Sequence, residues 1–328
     1  MTRAARLALV PVTTALLLAF APPAAAADEP GKEEAEKEAE PNWDVAADFV
    51  GGATTADILT AGRLAPMDAP PANVFDSTRI SAYSLLLGVE RHVGDKLTLG
   101  VRVPFLTATL TSRTGLAESR SVSAAGNVEL EAAYVLLSGK SWNLVATLEV
   151  ALPTAGGKEA PTQKEITEDP TRRFDYARYD TFAAVHAAAA TRGAYESALF
   201  EPGNLGIVPK LVANFHVAKL TLTPMVKLEN LIAVTGSAEE VYINELVAGV
   251  RASYRVAPAV EPGVNVWVRE LHEHTHADDT FSTVAVAEPF VRFHFGAVKP
   301  SVSVILPFAG DLVDAKTFGV RAGITGEF

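Results

Sequence analysis

The stretch ELHEHTHADD at 270–279 places His272, His274 and His276 at every second position, with Asp278 and Asp279 beside them. Alternate residues of an extended chain share a face. Three imidazoles at that spacing therefore have the ligand type to hold zinc, copper or nickel. The competing reading is an exposed polar loop leaving a strand, where flexible ligands bind metal weakly. Nucleophilic chemistry finds less support. The chain has no cysteine, which excludes disulfides, thiolate metal sites and cysteine nucleophiles. His186, His216 and His294 are followed two residues later by Ala188, Ala218 and Gly296, so no His-x-Ser pair exists. Gly-x-Ser-x-Gly and His-Glu-x-x-His are also missing. Covalent hydrolysis needs a base paired with its nucleophile. The expectation is a protein that is not an enzyme and carries no cofactor.

A larger set of charged residues is defined by where it falls. Glu90, Arg102, Glu129, Glu131, Glu149, Lys227, Glu229, Arg251, Arg269, Arg292 and Arg321 all lie inside segments in which apolar and polar residues alternate. In KLTLGVRVPF, Leu97, Leu99, Val101, Val103 and Phe105 share one face and Thr98, Gly100 and Arg102 the other. WNLVATLEVAL sets Trp142, Leu144, Ala146, Leu148 and Val150 against Asn143, Thr147 and Glu149. Period-two alternation over such lengths predicts strands with one apolar and one polar face. Twelve such segments are predicted, at 43–51, 79–92, 96–109, 126–138, 142–153, 203–216, 219–232, 241–256, 260–271, 282–296, 298–308 and 315–328. The alanine-rich 182–200 is read either as a helical insert or as a further strand.

Short connections (93–96, 138–141, 217–219, 257–259, 297–300) alternate with mostly longer ones (52–78, 110–125, 154–202, 233–240, 272–281). Short turns at one end, long loops at the other and an even strand number are the layout of a transmembrane β-barrel. A soluble sandwich also alternates, with its apolar face inward. Charges of both signs deep within the strands argue against it, because a barrel lumen offers them water and counter-charges. Trp43, Phe105, Trp142, Phe215, Tyr254, Phe295, Phe308, Phe318 and Phe328 lie towards strand ends on the apolar face, as membrane-boundary aromatics do. The fold expected is all-β: a closed antiparallel transmembrane β-barrel of about twelve strands.

The flanking segments agree. Residues 1–27 carry Arg3 and Arg6, an apolar run and then small residues, the pattern of a cleaved signal peptide. Residues 28–41 are charged and lack large apolar side chains, as in an acidic flexible segment. The barrel is then 42–328. Net charge is −11, which leaves no basic face for nucleic acid. The chain ends in KTFGVRAGITGEF, with Phe318, Val320, Ile324 and Phe328 on one face. That ending resembles the signal by which outer-membrane barrel precursors are read by the assembly machinery, and it implies that the last strand closes the barrel against the first.

A further resemblance covers roughly 80–236. GDKLTLGVRVPFL (94–106), GNVELEAAYVLLSGKSWNLVATLEVALPTAGG (126–157) and NLGIVPKLVANFHVAKLTLTPMVKLENLIAVTG (204–236) look like the outer-membrane family named for the meta-pathway of phenol degradation. That family is distantly similar to hydrophobic-compound channels of the fatty-acid transporter type. The elements carrying the resemblance are Val103-Pro104, Gly126-Asn127 and Leu152 to Gly156. Asn127 stands where an aspartate is expected, and the insert 155–202 is longer than expected.

The combined expectation is a barrel in the outer membrane of a Gram-negative bacterium, acting as a channel or porin for passive uptake or efflux of small molecules, aromatic or hydrophobic ones among them. Its partners would be the lipid bilayer, the assembly machinery and a small solute; no oligomeric state follows. The eleven charged residues above would line the pore. Acidic residues concentrate on early strands (Asp44, Asp48, Glu90, Glu129, Glu131, Glu149) and basic ones on later strands (Lys210, Lys227, Arg251, Arg255, Arg269, Arg292, Arg321). Opposed walls of opposite charge would set a transverse field across the lumen. The alternatives are a plugged structural or adhesive barrel whose charges pair, with the outward-facing 155–202 loop as the adhesive candidate, and, more remotely, a barrel lipid hydrolase.

Overall fold

A computed structural model of the protein describes residues 42–55, 78–112, 119–155, 176–234, 240–275 and 279–328. The signal-peptide and acidic-segment readings, His276, Asp278 and 156–175 of the 155–202 insert lie outside them. The described strands are β1 (Trp43–Thr55), β2 (Thr78–Val93), β3 (Leu97–Ser112), β4 (Arg120–Ala125), β5 (Glu129–Ser138), β6 (Trp142–Ala151), β7 (Asn204–Val217), β8 (Leu220–Ala233), β9 (Glu240–Tyr254), β10 (Val260–Thr275), β11 (Asp279–Phe293), β12 (Val298–Ala309) and β13 (Phe318–Glu327). Helix α1 is Tyr176–Thr191 and the one-turn α2 is Asp311–Asp314. No described helix is long and apolar enough to cross a membrane.

Apart from β4 and β5, each strand runs antiparallel to its sequence neighbour, and β1 pairs with β13 from Asp44↔Glu327 to Ala53↔Phe318. Trp43 and Phe328 exchange backbone hydrogen bonds of 2.9 and 2.8 Å. The sheet is therefore a closed barrel, the form that satisfies every strand within a bilayer. β4 and β5 both pair with β3, on its upper and lower halves. They form one wall position broken at 126–128, so thirteen described strands make twelve staves. The sequence reading assigned 110–125 to a loop; part of it is β4. Serines and small residues in RSVSAA carry too little apolar contrast to announce a strand.

Over the lower part of every wall the apolar face points outward. Leu99, Leu148 and Val226 are 46, 47 and 40% exposed. All nine boundary aromatics named above are exposed on the same outer surface. The upper part of β2–β4 reverses this. There Ile80, Ala82, Leu106, Ala108 and Leu110 point inward and are buried, while Thr107, Thr109, Ser121 and Ser123 hydrogen-bond to one another on the outside. What they bury is α1: Ala183, Ala184, Val185, Ala187 and Ala188 pack on this inward apolar patch together with Leu199 and Phe200. Alanine is both a strong helix former and thin enough to sit inside a twelve-stave wall. The barrel thus crosses lipid with one polarity and rises above it, at the long-loop end, with the opposite one.

Candidate functional site

The lumen is crossed by the segment that follows α1. The helix stops at Arg192-Gly193-Ala194. Gly193 and Ala194 take φ of 73° and 51°, the Gly193 N–H bonds the Ala190 carbonyl at 2.8 Å, and the Ala194 N–H bonds that of Ala189 at 2.9 Å. Two such bonds with left-handed residues are a Schellman ending. Glycine is required at 193 for space too, since a Cβ there would lie 2.6 Å from Trp267 Cζ2. The chain then runs through Tyr195 and Glu196 into the 3-10 turn Ser197–Phe200 before entering β7.

This segment reaches almost every wall. Arg192 is fully buried, ion-paired with Asp48 of β1 and, at 2.6 Å, with Glu196, and it donates to Ser84 of β2 at 3.3 Å. Glu196 meets Arg102 of β3 at 3.5 Å and Arg321 of β13 at 4.0 Å. The Lys227 ammonium of β8 donates to the Tyr195 carbonyl, lies 4.2 Å from the Tyr195 ring centre and is 2.5 Å from Glu229. Glu229 accepts from the Ala198 N–H at 2.9 Å. Trp267 of β10 donates to the Gly193 carbonyl at 3.1 Å, and Arg269 to Ser197 at 3.4 Å. The adhesive reading of this insert is corrected for 176–203, which fold inward rather than outward.

The elements behind the family resemblance meet at the same place. Asn127 donates its N–H to the Leu199 carbonyl at 2.7 Å, and its side-chain amide to the Ala198 and Glu201 carbonyls at 2.8 and 2.7 Å. Its side-chain oxygen accepts from the Ala155 N–H at 2.8 Å. Thr154 bonds the Val128 N–H at 2.8 Å, and the Gly126 N–H bonds the Pro104 carbonyl at 3.0 Å. The broken stave, the end of β6 and Pro104 together clamp the inserted turn. Asparagine in place of aspartate is explained by the two carbonyls, which need donors that a carboxylate does not have.

All eleven charged residues expected to line a pore lie on the inner face of the wall, and most are paired. Arg102 engages Glu129 and lies 3.9 Å from Glu131 and 3.5 Å from Glu149. Lys210 pairs with Glu149, and Arg269 with Glu245 at 3.2 Å. Arg321 contacts Glu288 at 3.2 Å and Asp48 at 3.5 Å. Glu90 faces Asp44 and Glu131, with Arg102 and His92 near. The transverse field expected from sequence order is corrected by closure. Joining β13 to β1 brings a late cation beside an early anion, and the inserted segment adds its own charges between them. Arg251 and Arg292 differ: among the described residues neither has an ion-pair partner within the salt-bridge distance of 4.0 Å. Glu129, Glu131 and Glu149 approach one another closely enough to hold a cation, but Arg102 and Lys210 already fill that role.

Among the described residues, spaces open on both sides of the inserted segment. Towards the short-turn end lies a cavity of about 290 Å³ lined by Tyr195, Lys210, Thr223, Arg251, Trp267 and Arg321 among others. Towards the long loops a pocket of about 50 Å³ lies between His186, Phe200, Arg269 and Leu312. The histidine group is elsewhere. His272 is exposed near the end of β10, paired in register with Phe281, and His274 follows two residues on opposite Asp279. Phe318, Val320 and Phe328 are exposed on the outer wall of β13, and Ile324 shares their face.

The sequence matches no family model and no curated protein. The architecture has solved counterparts. An outer-membrane channel from Pseudomonas putida F1 superposes with a TM-score of 0.58 at 14% identity, over 92% of this chain and all of that one. The fold is that of an outer-membrane β-barrel. The β-domain of the Bordetella autotransporter BrkA aligns at 12% identity over 88% of this chain and all of its own, with a TM-score of 0.48. Identities this low speak of fold. Together with the lipid-facing exterior, the fold places the protein in the outer membrane of a Gram-negative bacterium.

Proposed function

We propose that the protein is a narrow channel for passive movement of small solutes across the outer membrane, with segment 192–201 as its constriction. The observation that carries this reading is the pair of cavities, about 290 and about 50 Å³, on opposite sides of one inserted segment within a charged wall. A barrel of about eight staves is filled by side chains, and one of 16–18 leaves an open channel. Here twelve staves leave a lumen that one short segment divides. The P. putida channel of like fold is consistent with this role. The resemblance to the phenol meta-pathway family favours aromatic or hydrophobic solutes among those carried. Partners are the bilayer, which the outer face fits, and the assembly machinery, for which Phe318, Val320, Ile324 and Phe328 are the recognition row.

A plugged, non-conducting barrel is the second reading, favoured by the density of ion pairs around Arg192 and Glu196. Recording in planar bilayers separates the two. A channel gives discrete steps of small conductance. A silent protein that keeps heat-modifiable barrel migration overturns the channel and leaves the plug.

A further inference from the structure

The cavity on the short-turn side is lined by three cations, Lys210, Arg251 and Arg321, and one carboxylate, Glu288; most cations of the inner wall are paired. Arg102, Arg192, Lys210, Lys227, Arg269 and Arg321 each have a carboxylate within 4.0 Å. Among the described residues Arg251 has none; nor has Arg292, a cation outside the cavity lining that stands opposite Glu261 in the β10–β11 register. Charged groups withdrawn from water are ordinarily paired, so the half-buried Arg251 guanidinium, facing this cavity with no carboxylate in contact, is suited to take an anion. The cavity-lining carboxylate does not fill that role. Glu288 is already taken by Ser303 at 2.6 Å, Asn265 at 2.9 Å and Arg321 at 3.2 Å.

The wall is shaped around Arg251. Its guanidinium lies 4.2 Å from the centre of the Phe290 ring, which supports it by a cation–π contact. That ring occupies the space left by Gly263, where a Cβ would be 2.4 Å from Phe290 Cζ. Thr223 and Asn265 face Arg251 across the two flanking strand pairs. The roof is apolar, made by Tyr195 against Trp267 edge-on at 5.4 Å, with Met225 beside them. A volume of about 290 Å³ is at the lower edge of ligand sites, which run from roughly 300 to 1,000 Å³. A rigid planar arginine suits a carboxylate, and the aromatic roof suits an apolar body.

We propose that this cavity is a binding site for a small organic anion, a carboxylate with an apolar or aromatic body, with Arg251 as its principal ligand and Arg292 as the neighbouring cation. The inference rests on the channel reading for its purpose, but not for its test, which is equilibrium binding. Full-length protein purified in detergent micelles is titrated calorimetrically with benzoate, with benzylamine as the cationic counterpart and benzyl alcohol as the neutral one. Benzoate binds, and the other two bind at least tenfold more weakly. Arg251→Gln weakens benzoate about tenfold or more, the loss of a charge-assisted contact, and Arg292→Gln weakens it less. Heat-modifiable migration verifies that each variant is folded; if Arg251→Gln does not fold, Arg292→Gln and the benzylamine comparison decide. Equal binding of benzoate and benzylamine, or no benzoate binding by the wild-type protein, overturns the site. Unaltered benzoate binding by a folded Arg251→Gln overturns the role of Arg251. Benzoate binding by a barrel that conducts nothing upholds the site and removes the channel; conduction without binding does the reverse.

Discussion

Arg192→Ala is the sharpest probe of the inserted segment. Arg192 is fully buried, with Asp48, Glu196 and Ser84 around its guanidinium and the Phe200 ring centre 5.9 Å away. Removing one member of a buried ion pair ordinarily costs about 3–5 kcal/mol, because the partner is left bare. Here the partners are not wholly abandoned. Asp48 retains Arg321 at 3.5 Å, and Glu196 retains Arg102 at 3.5 Å and Arg321 at 4.0 Å. The lower end, about 3 kcal/mol, is therefore expected, which is roughly a hundredfold in the ratio of docked to undocked segment. The sheet itself is untouched, so barrel migration on unheated gels stays as in the wild type. In planar bilayers the variant shows a larger conductance or a much higher open fraction, and protease cuts it more readily between 192 and 201. A variant with unchanged conductance, open fraction and protease resistance refutes the assignment of this segment as the constriction.

Other substitutions separate the clamp, the lipid face and assembly. Asn127→Asp sets a carboxylate against the Ala198 and Glu201 carbonyls; it should destabilise the inserted turn by about 1–3 kcal/mol and by more than Asn127→Ala, read from hydrogen exchange across 196–201. A more protected Asp variant would contradict the clamp. Val226→Arg puts a cation on the mid-wall outer face and lowers barrel stability in bilayers by about 2–4 kcal/mol, measured by reversible denaturant unfolding; an unchanged midpoint would mean that face is not in lipid. Phe328→Ser removes the exposed end of the recognition row and reduces the assembled fraction in cells while refolding into detergent proceeds normally. Equal loss in both settings would assign Phe328 to stability instead.

How much of this is legible along the chain depends on range. Alternation at period two is a local property, and it located the twelve staves within a few residues because one face must meet lipid and the other must not. It also determined which side of the wall Arg102, Glu149, Arg251 and Arg321 occupy, since parity along a strand is set once one residue is placed. The break at Gly126-Asn127 carries no such mark, and RSVSAA is too weakly patterned to read as a strand. FAAVHAAAATRG is compatible with helix or strand by composition; only the inward apolar patch of Ile80, Leu106 and Leu110 selects the helix and draws it into the lumen.

Pairing was decided by the tertiary structure alone. Asp48 and Arg321 are separated by nearly the whole chain, yet closure of β1 on β13 sets them 3.5 Å apart. Arg251 and Arg292 look no different in sequence from the cations around them. That neither has an ion pair among the described residues is settled by which side chains closure and the inserted segment bring within reach, because electrostatic partnership depends on distance through space and not on order along the chain.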